Sequence, residues 1–267
     1  MRLIDSSVEI TPQGPTFEGA LKAVELAARV SHLSEDKITD NSYENFCDKL
    51  LAIGHMSPFE FGTIYLTIPA SHKHHTFFAE IFYKNNKYSK VITGIDASYV
   101  TTNLRVIYEN KRQKDLKYIC TPTVYHEKRI NTHWICSRAI QQEITRHRVF
   151  SFLWESTRWI GYDKDKFNSE LVCIKPEWYK QDSDAVAHQL CKKRFEKNLQ
   201  NTEDDYLFLR EKDSLPQEAR HVLPLALKSE GYMCGFESDW KKFIEQRSKK
   251  DADPDIQYLA NMLMESI

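Results

Sequence analysis

Short β-rich runs set among stretches of helical hydrophobic period constrain this chain more than any other feature. Residues 63–68 (TIYLTI) close on Pro69 and read as a strand, and residues 98–108 (SYVTTNLRVIY) as a strand or hairpin arm. Residues 17–32 carry Leu21, Val24, Ala27 and Ala28 at helical spacing, and a second helix is expected from Ser42, as its cap, to Ile53. Further helices are expected between Pro69 and Tyr83, over 134–145, and over 184–199 with Val186, Leu190, Cys191 and Phe195 on one face. Ser214, Pro216 and Gln217 have the pattern of cap, first-turn proline and capping-box partner; the helix they open is expected to carry Arg220 towards Gly231. Ser238 is expected to cap a last pair, one carrying Trp240, Phe243, Ile244 and Arg247, the other covering 256–267. Helices with a modest number of strands in blocks imply an α+β fold, not a doubly wound sheet.

The 267 residues suit one large domain, and 41% hydrophobic with 28% charged residues is an ordinary globular mixture. Lys and Arg total 37 against 38 Asp and Glu, so any basic site is local and a general nucleic-acid partner is not expected. No apolar run has the length of a signal peptide core or membrane span, so no membrane partner is expected and the reading is cytoplasmic. Cys47, Cys120, Cys136, Cys173, Cys191 and Cys234 form no C-x-x-C pair, which fits reduced thiols. His72, His74 and His75 form an H-x-H-H group, but no Cys or carboxylate stands nearby in ligand register, so no metal site is expected. Neither a G-x-G-x-x-G nor a Walker loop is present.

Arg146, His147 and Arg148 place three potential cations in succession, with Ser156 and Arg158 within ten residues. Arginine pairs bidentately with phosphate and keeps its charge, so the cluster suits a phosphorylated ligand. Its spacing, R-H-R, seven residues, then Ser156, matches the signature of flavin-dependent thymidylate synthases, with Ser151 and Arg158 also in place. Residues 27–31 (AARVS) resemble that family's first-helix segment, and residues 55–60 (HMSPFE) its H-x-[ST]-P-F-E segment. Residues 220–224 (RHVLP) resemble its R-x-V-L-P segment, and residues 243–247 its F-L-x-L-R segment. These ordered matches run from about residue 20 to 257.

The resemblance implies a single domain over 1–267 with an insertion at about 84–131, an antiparallel sheet packed with several helices, and a homotetramer whose sites are shared between subunits. It implies reductive methylation of dUMP to dTMP, with FAD as cofactor and NADPH and methylenetetrahydrofolate as co-substrates. Such chemistry asks the protein to position partners and stabilise charge. Arg247 matches the catalytic arginine that polarises the uracil, a task suited to a permanently charged donor. The dUMP site carries over to Glu143, Arg146, Glu155, Ser156, Thr157, Arg158, Arg220 and Arg247. The FAD site carries over to Ser31, His55, Ser57, Glu60, Arg146, His147, Arg148 and Val149. A structural histidine is the equal alternative for His55, and an exposed helix carboxylate for Glu143.

The chain departs from the family at Leu153 and Trp154, where Asn-Glu is common, with Glu155 one place later. Trp159 replaces a usual tyrosine, and Phe236, Ser238 and Lys242 stand where Asn, Arg and Asn tend to contact FAD. Trp154 reads as a core residue, with stacking on a flavin or pterin ring as the alternative. Residues 85–90 (NNKYSK) read as a lid or tetramer contact, or more simply as part of a surface excursion. Two other outcomes stay open: hydroxymethylation of the pyrimidine nucleotide, and nucleotide binding without catalysis.

Overall fold

The computed structural model describes residues 1–31, 33–70, 74–164 and 168–267, with backbone alone at 74 and 75. The H-x-H-H group therefore lies outside the described side chains. The fold is α+β. Its centre is a four-stranded antiparallel sheet in the order β2 (Ser7–Thr11), β6 (Arg129–Ser137), β9 (Lys228–Phe236), β7 (Ser151–Trp154). A second antiparallel sheet runs β3 (Thr63–Pro69), β5 (Ala97–Asn103), β4 (Lys90–Thr93). A short parallel pair, β1 (Arg2–Ile4) with β8 (Val172–Ile174), ties the first residues to the middle of the chain.

Alternation along β6 assigns the central sheet's faces. Thr132, Trp134 and Cys136 are fully buried, and Trp134 packs with Met233, Phe150, Trp240, Phe243 and the helix α10 (Pro254–Met264). Trp240 and Phe243 come from α9 (Glu237–Arg247), so α9 and α10 cover this face. On the opposite face Tyr232 and Cys234 meet Ala27 and Val30 of α1 (Phe17–Val30). The other side of α1 presents Ala20, Val24 and Ala28 to the core of the second sheet. Helix α1 is thus a shared wall between the two sheets, and small side chains suit that place. Gly231 lies opposite both Trp134 and Trp154, and a Cβ there would sit 2.5 Å from the Trp154 ring and from the Leu153 carbonyl oxygen.

Several expected elements differ. Residues 134–145 are not one helix: β6 occupies the first part, and α5 (Arg138–Ile144) begins where the Ser137 hydroxyl accepts the Ile140 N–H. Period-two burial overrides helical propensity there. The 98–108 run is strand only to Asn103, whose side chain accepts the Val106 N–H and starts α4 (Leu104–Glu109). The helix expected to carry Arg220 to Gly231 is a single turn, α8 (Pro216–Ala219), followed by a 3-10 turn over Arg220–Val222 and then β9. Pro224 lacks the amide N–H that a continuing helix requires. Ser42 lies inside α2 (Ser42–Ala52), behind Asn41 as the cap, and Ser238 lies inside α9, behind Phe236.

The short helix before Tyr83 is α3 (His74–Asn85), α6 (Glu177–Lys180) is one turn, and the 184–199 helix extends as α7 (Val186–Glu211). The segment 84–131 is no surface excursion. Within it Val100, Leu104 and Ile107 are fully buried, in one core with Phe59 and Ile64. Among the described residues no helix is long and apolar enough to cross a membrane.

Candidate functional site

The R-H-R turn follows α5 directly and faces the last turn of α9. Arg247 donates from Nε to His147 Nε2 at 2.9 Å and from Nη1 to Glu143 Oε2 at 3.2 Å. The first bond requires an unprotonated Nε2, so His147 is neutral with its proton on Nδ1. Burial, and then the Arg247 charge, hold the His147 pKa below its ordinary value. Phe243, one turn before Arg247 on α9, packs its ring 4.8 Å from the imidazole. Arg146, Arg148 and Val149 project to solvent beside them.

Two further segments share one small core. The residues after β7 carry Ser156, Thr157 and Arg158 and continue into Ile160 and Tyr162, which pack with Ala219, Val222 and Leu223 around Arg220. Ser156 is anchored to the end of α1, its N–H donating to the Ser31 carbonyl at 3.3 Å. Thr157 is buried, whereas Arg158 is exposed with its guanidinium beside the Trp159 ring. Arg146, Arg148, Arg158 and Arg220 make no ion pair among the described residues. A guanidinium with no carboxylate partner keeps its full charge for an anionic ligand.

Glu155, expected among the nucleotide contacts, turns inward. Its side chain has no exposed surface, and Lys228 Nζ stands 3.3 Å from Oε2. Neither carboxylate oxygen has an aligned hydrogen bond. Burial, only partly offset by Lys228, pushes its pKa up to about 7. Lys228 also contacts Glu230, which accepts His133 Nε2 at 2.9 Å, while His133 Nδ1 lies 3.3 Å from Glu9. Despite burial, the His133 hydrogen bond and the Lys228 charge hold Glu230 at about 2. A chain of charges thus crosses the sheet from the rim to the root of the Ser156 loop. Trp154 packs with the α9–α10 core, which agrees with its reading as a core residue.

The positions expected on the flavin side are more engaged. Ser31 donates to the Ala28 carbonyl at 2.7 Å, and Glu60 pairs with Arg105 at 2.6 Å. His55 and Ser57 sit half-buried at the start of the turn holding Glu60. Phe236 is buried under the Lys90 ammonium, 4.4 Å from the ring centroid, and Lys90 donates to Ser238 Oγ and Glu127 Oε1, both at 2.7 Å. Lys242 is exposed. His147 is half-buried, and Arg148 and Val149 beside it are exposed. The Phe236 and Ser238 positions are instead clamped to the 84–131 segment by Lys90 and Glu127.

Lys228, Glu230, Arg105 and Lys90 were not expected from the sequence. Lys228 and Glu230 carried a signal, since residues two apart on a strand share a face, but the region read as helix. Among the described residues, no three His, Cys, Asp or Glu side chains are placed to hold a metal ion.

Residues 97–267, well over half of the chain, match the family described as thymidylate synthase complementing protein, and the chain belongs to that family. No curated protein sequence matches it. Among solved structures, it is similar to the UMP/dUMP methylase PolB from Streptomyces cacaoi, crystallised with 5-Br dUMP. The identity is 16%, the coverage 100% of this chain and 92% of that one, and the TM-score 0.49.

Proposed function

We propose that this member of the family methylates dUMP reductively to dTMP, as a homotetramer using FAD, NADPH and methylenetetrahydrofolate. The observation that carries the reading is the set of arginines without carboxylate partners among the described residues, Arg146, Arg148, Arg158 and Arg220, beside an Arg247 held by His147 and Glu143. Arg158 and Arg220 hold the nucleotide phosphate, and Ser156 and Thr157 shape the loop beside it. Arg247, already oriented by Glu143 and His147, places a permanent positive charge against the uracil as negative charge develops there. Glu143 and Arg146 flank the pyrimidine.

His147, Arg148 and Val149 border the flavin ring, with Ser31, His55, Ser57 and Glu60 towards its ribityl chain and phosphates. When bound, FAD carries the hydride from NADPH to the carbon supplied by methylenetetrahydrofolate. Glu155 supports the loop from below. The outward placement of Arg146, Arg148 and Val149 suits a site completed by neighbouring subunits.

The visible spectrum of the purified protein tests this reading, recorded before and after addition of FAD and then dUMP. Flavin bands that the nucleotide perturbs are expected. A protein that binds dUMP and takes up no FAD would contradict it.

A further inference from the structure

The loop between β2 and α1 separates two cavities, of about 360 and 150 Å³, that share Thr11, Gln13 and Asn131 in their walls. The loop is braced. The Gln13 side-chain amide bonds both the N–H and the carbonyl of Thr63, each at 2.8 Å, as a further strand would. Neither cavity is lined by residues of the proposed nucleotide site.

Two buried polar atoms on this stretch of β6 lack partners. Asn131 donates from Nδ2 to the Phe61 carbonyl at 3.0 Å, which fixes the amide and leaves Oδ1 unbonded. Arg129 donates from Nη1 to the Glu60 carbonyl at 2.9 Å, and its Nε–H is unbonded. Two residues apart on a strand, they share a face, and both line the smaller cavity. Among the described residues no carboxylate lies within ion-pair distance of Arg129; its guanidinium lies 5.6 Å from the Phe236 ring centroid, and its backbone N–H donates to the Tyr65 hydroxyl at 3.2 Å. Unmade bonds to buried polar groups are rare and costly, and a guanidinium without a counter-ion favours an oxyanion.

We propose that these cavities form a second ligand site, which takes a phosphorylated small molecule with its phosphoryl group at Arg129. The smaller cavity has room for the phosphoryl group, whose oxygens accept the Arg129 Nε–H once the side chain turns this buried atom towards the cavity. A hydroxyl or amino group of the ligand donates to Asn131 Oδ1. The body extends into the larger cavity, along Tyr232 and Ala23, in the size range of small-molecule sites. This inference does not rest on the dUMP reading.

The test is titration of the whole protein with inorganic phosphate, and then ribose 5-phosphate, while the arginine Nε–H resonances are followed by NMR. The Arg129 signal is assigned by its loss in Arg129→Lys. It is expected to shift saturably with both probes, and more tightly with ribose 5-phosphate. Arg129→Gln is expected to weaken ribose 5-phosphate binding by about tenfold or more, as removal of a charge-assisted bond does. Arg220→Ala is expected to leave it unchanged. Ala23→Leu, which narrows the larger cavity, is expected to weaken ribose 5-phosphate and spare inorganic phosphate, and it gives a second reading if Arg129→Gln fails to fold. An Arg129 Nε–H that ignores both probes would overturn the proposal, because water alone then fills the cavity. Loss of ribose 5-phosphate binding in Arg220→Ala with retention in Arg129→Gln would overturn it too, since the anion then binds in the nucleotide site.

Discussion

Lys228 Nζ stands 3.3 Å from a carboxylate oxygen of Glu155, a side chain with no exposed surface at the root of the loop carrying Ser156 and Arg158. Burial raises the Glu155 pKa to about 7, because Lys228, which also pairs with Glu230, offsets the loss of solvation only in part.

A carboxyl whose pKa is raised on folding binds its proton more tightly in the folded than in the unfolded chain. Its contribution is therefore greatest at acid pH and is lost as pH climbs from the ordinary carboxylate range to about 7. Denaturant unfolding of the wild type between pH 5 and 8 should show this fall, and Glu155→Gln should flatten it. The slope removed corresponds to about 3 kcal/mol across the window, at 1.36 kcal/mol per pKa unit. His133, whose pKa is raised by Glu230 and Glu9 against the effect of burial, leaves a residual fall of the same sign. Parallel curves for the two proteins would contradict the account of Glu155.

Removing the other partner has a pH signature as well. Lys228→Met should destabilise the protein by about 3 kcal/mol at pH 8, where it leaves a buried carboxylate unpaired. At pH 6 the loss should be smaller, because Glu155 takes a proton instead. Equal losses at both values would mean that Glu155 stays ionised throughout.

The sheet offers a packing test. Gly231 faces Trp134 and Trp154 across its two neighbouring strands, and a methyl group there would press on the Trp154 ring and the Leu153 carbonyl. Gly231→Ala should cost about 1–3 kcal/mol through overpacking. An unchanged unfolding midpoint would show that Trp154 yields freely.

Part of the candidate site was legible because its residues are local in sequence. Arg146, His147, Arg148 and Ser156 lie within eleven residues, and the structure brings Arg247 to His147 from a helix whose apolar period was plain. Long-range placement was not legible. Residues 134–137 mix helix- and strand-forming types, and only their pairing with β9 decides for strand. The inward turn of Glu155 depends on Lys228, which the sequence places 73 positions away and on an element read as helix. The clamp of Lys90 on Phe236 and Ser238 joins segments equally remote, and no local pattern announces it.

Arg247 should be separable from the fold. Arg247→Ala removes a cation from beside His147, so the imidazole pKa should rise towards its ordinary value in an NMR titration. Turnover should fall far more than stability does. Full activity in that variant would remove Arg247 from the mechanism.

Arg220 tests the phosphate assignment. Arg220→Ala should weaken dUMP binding by about tenfold to a hundredfold, the range for a charge-assisted hydrogen bond, and leave any flavin bound. Loss of flavin with unchanged nucleotide affinity would reverse the mapping of the two sites.

The most direct measurement is the mass of the nucleotide formed when the protein is incubated with dUMP, FAD, NADPH and methylenetetrahydrofolate. The account predicts a product heavier by one methyl group in place of hydrogen, and none when NADPH is omitted. A hydroxymethyl product, or dUMP recovered unchanged from a protein that binds it, would contradict reductive methylation.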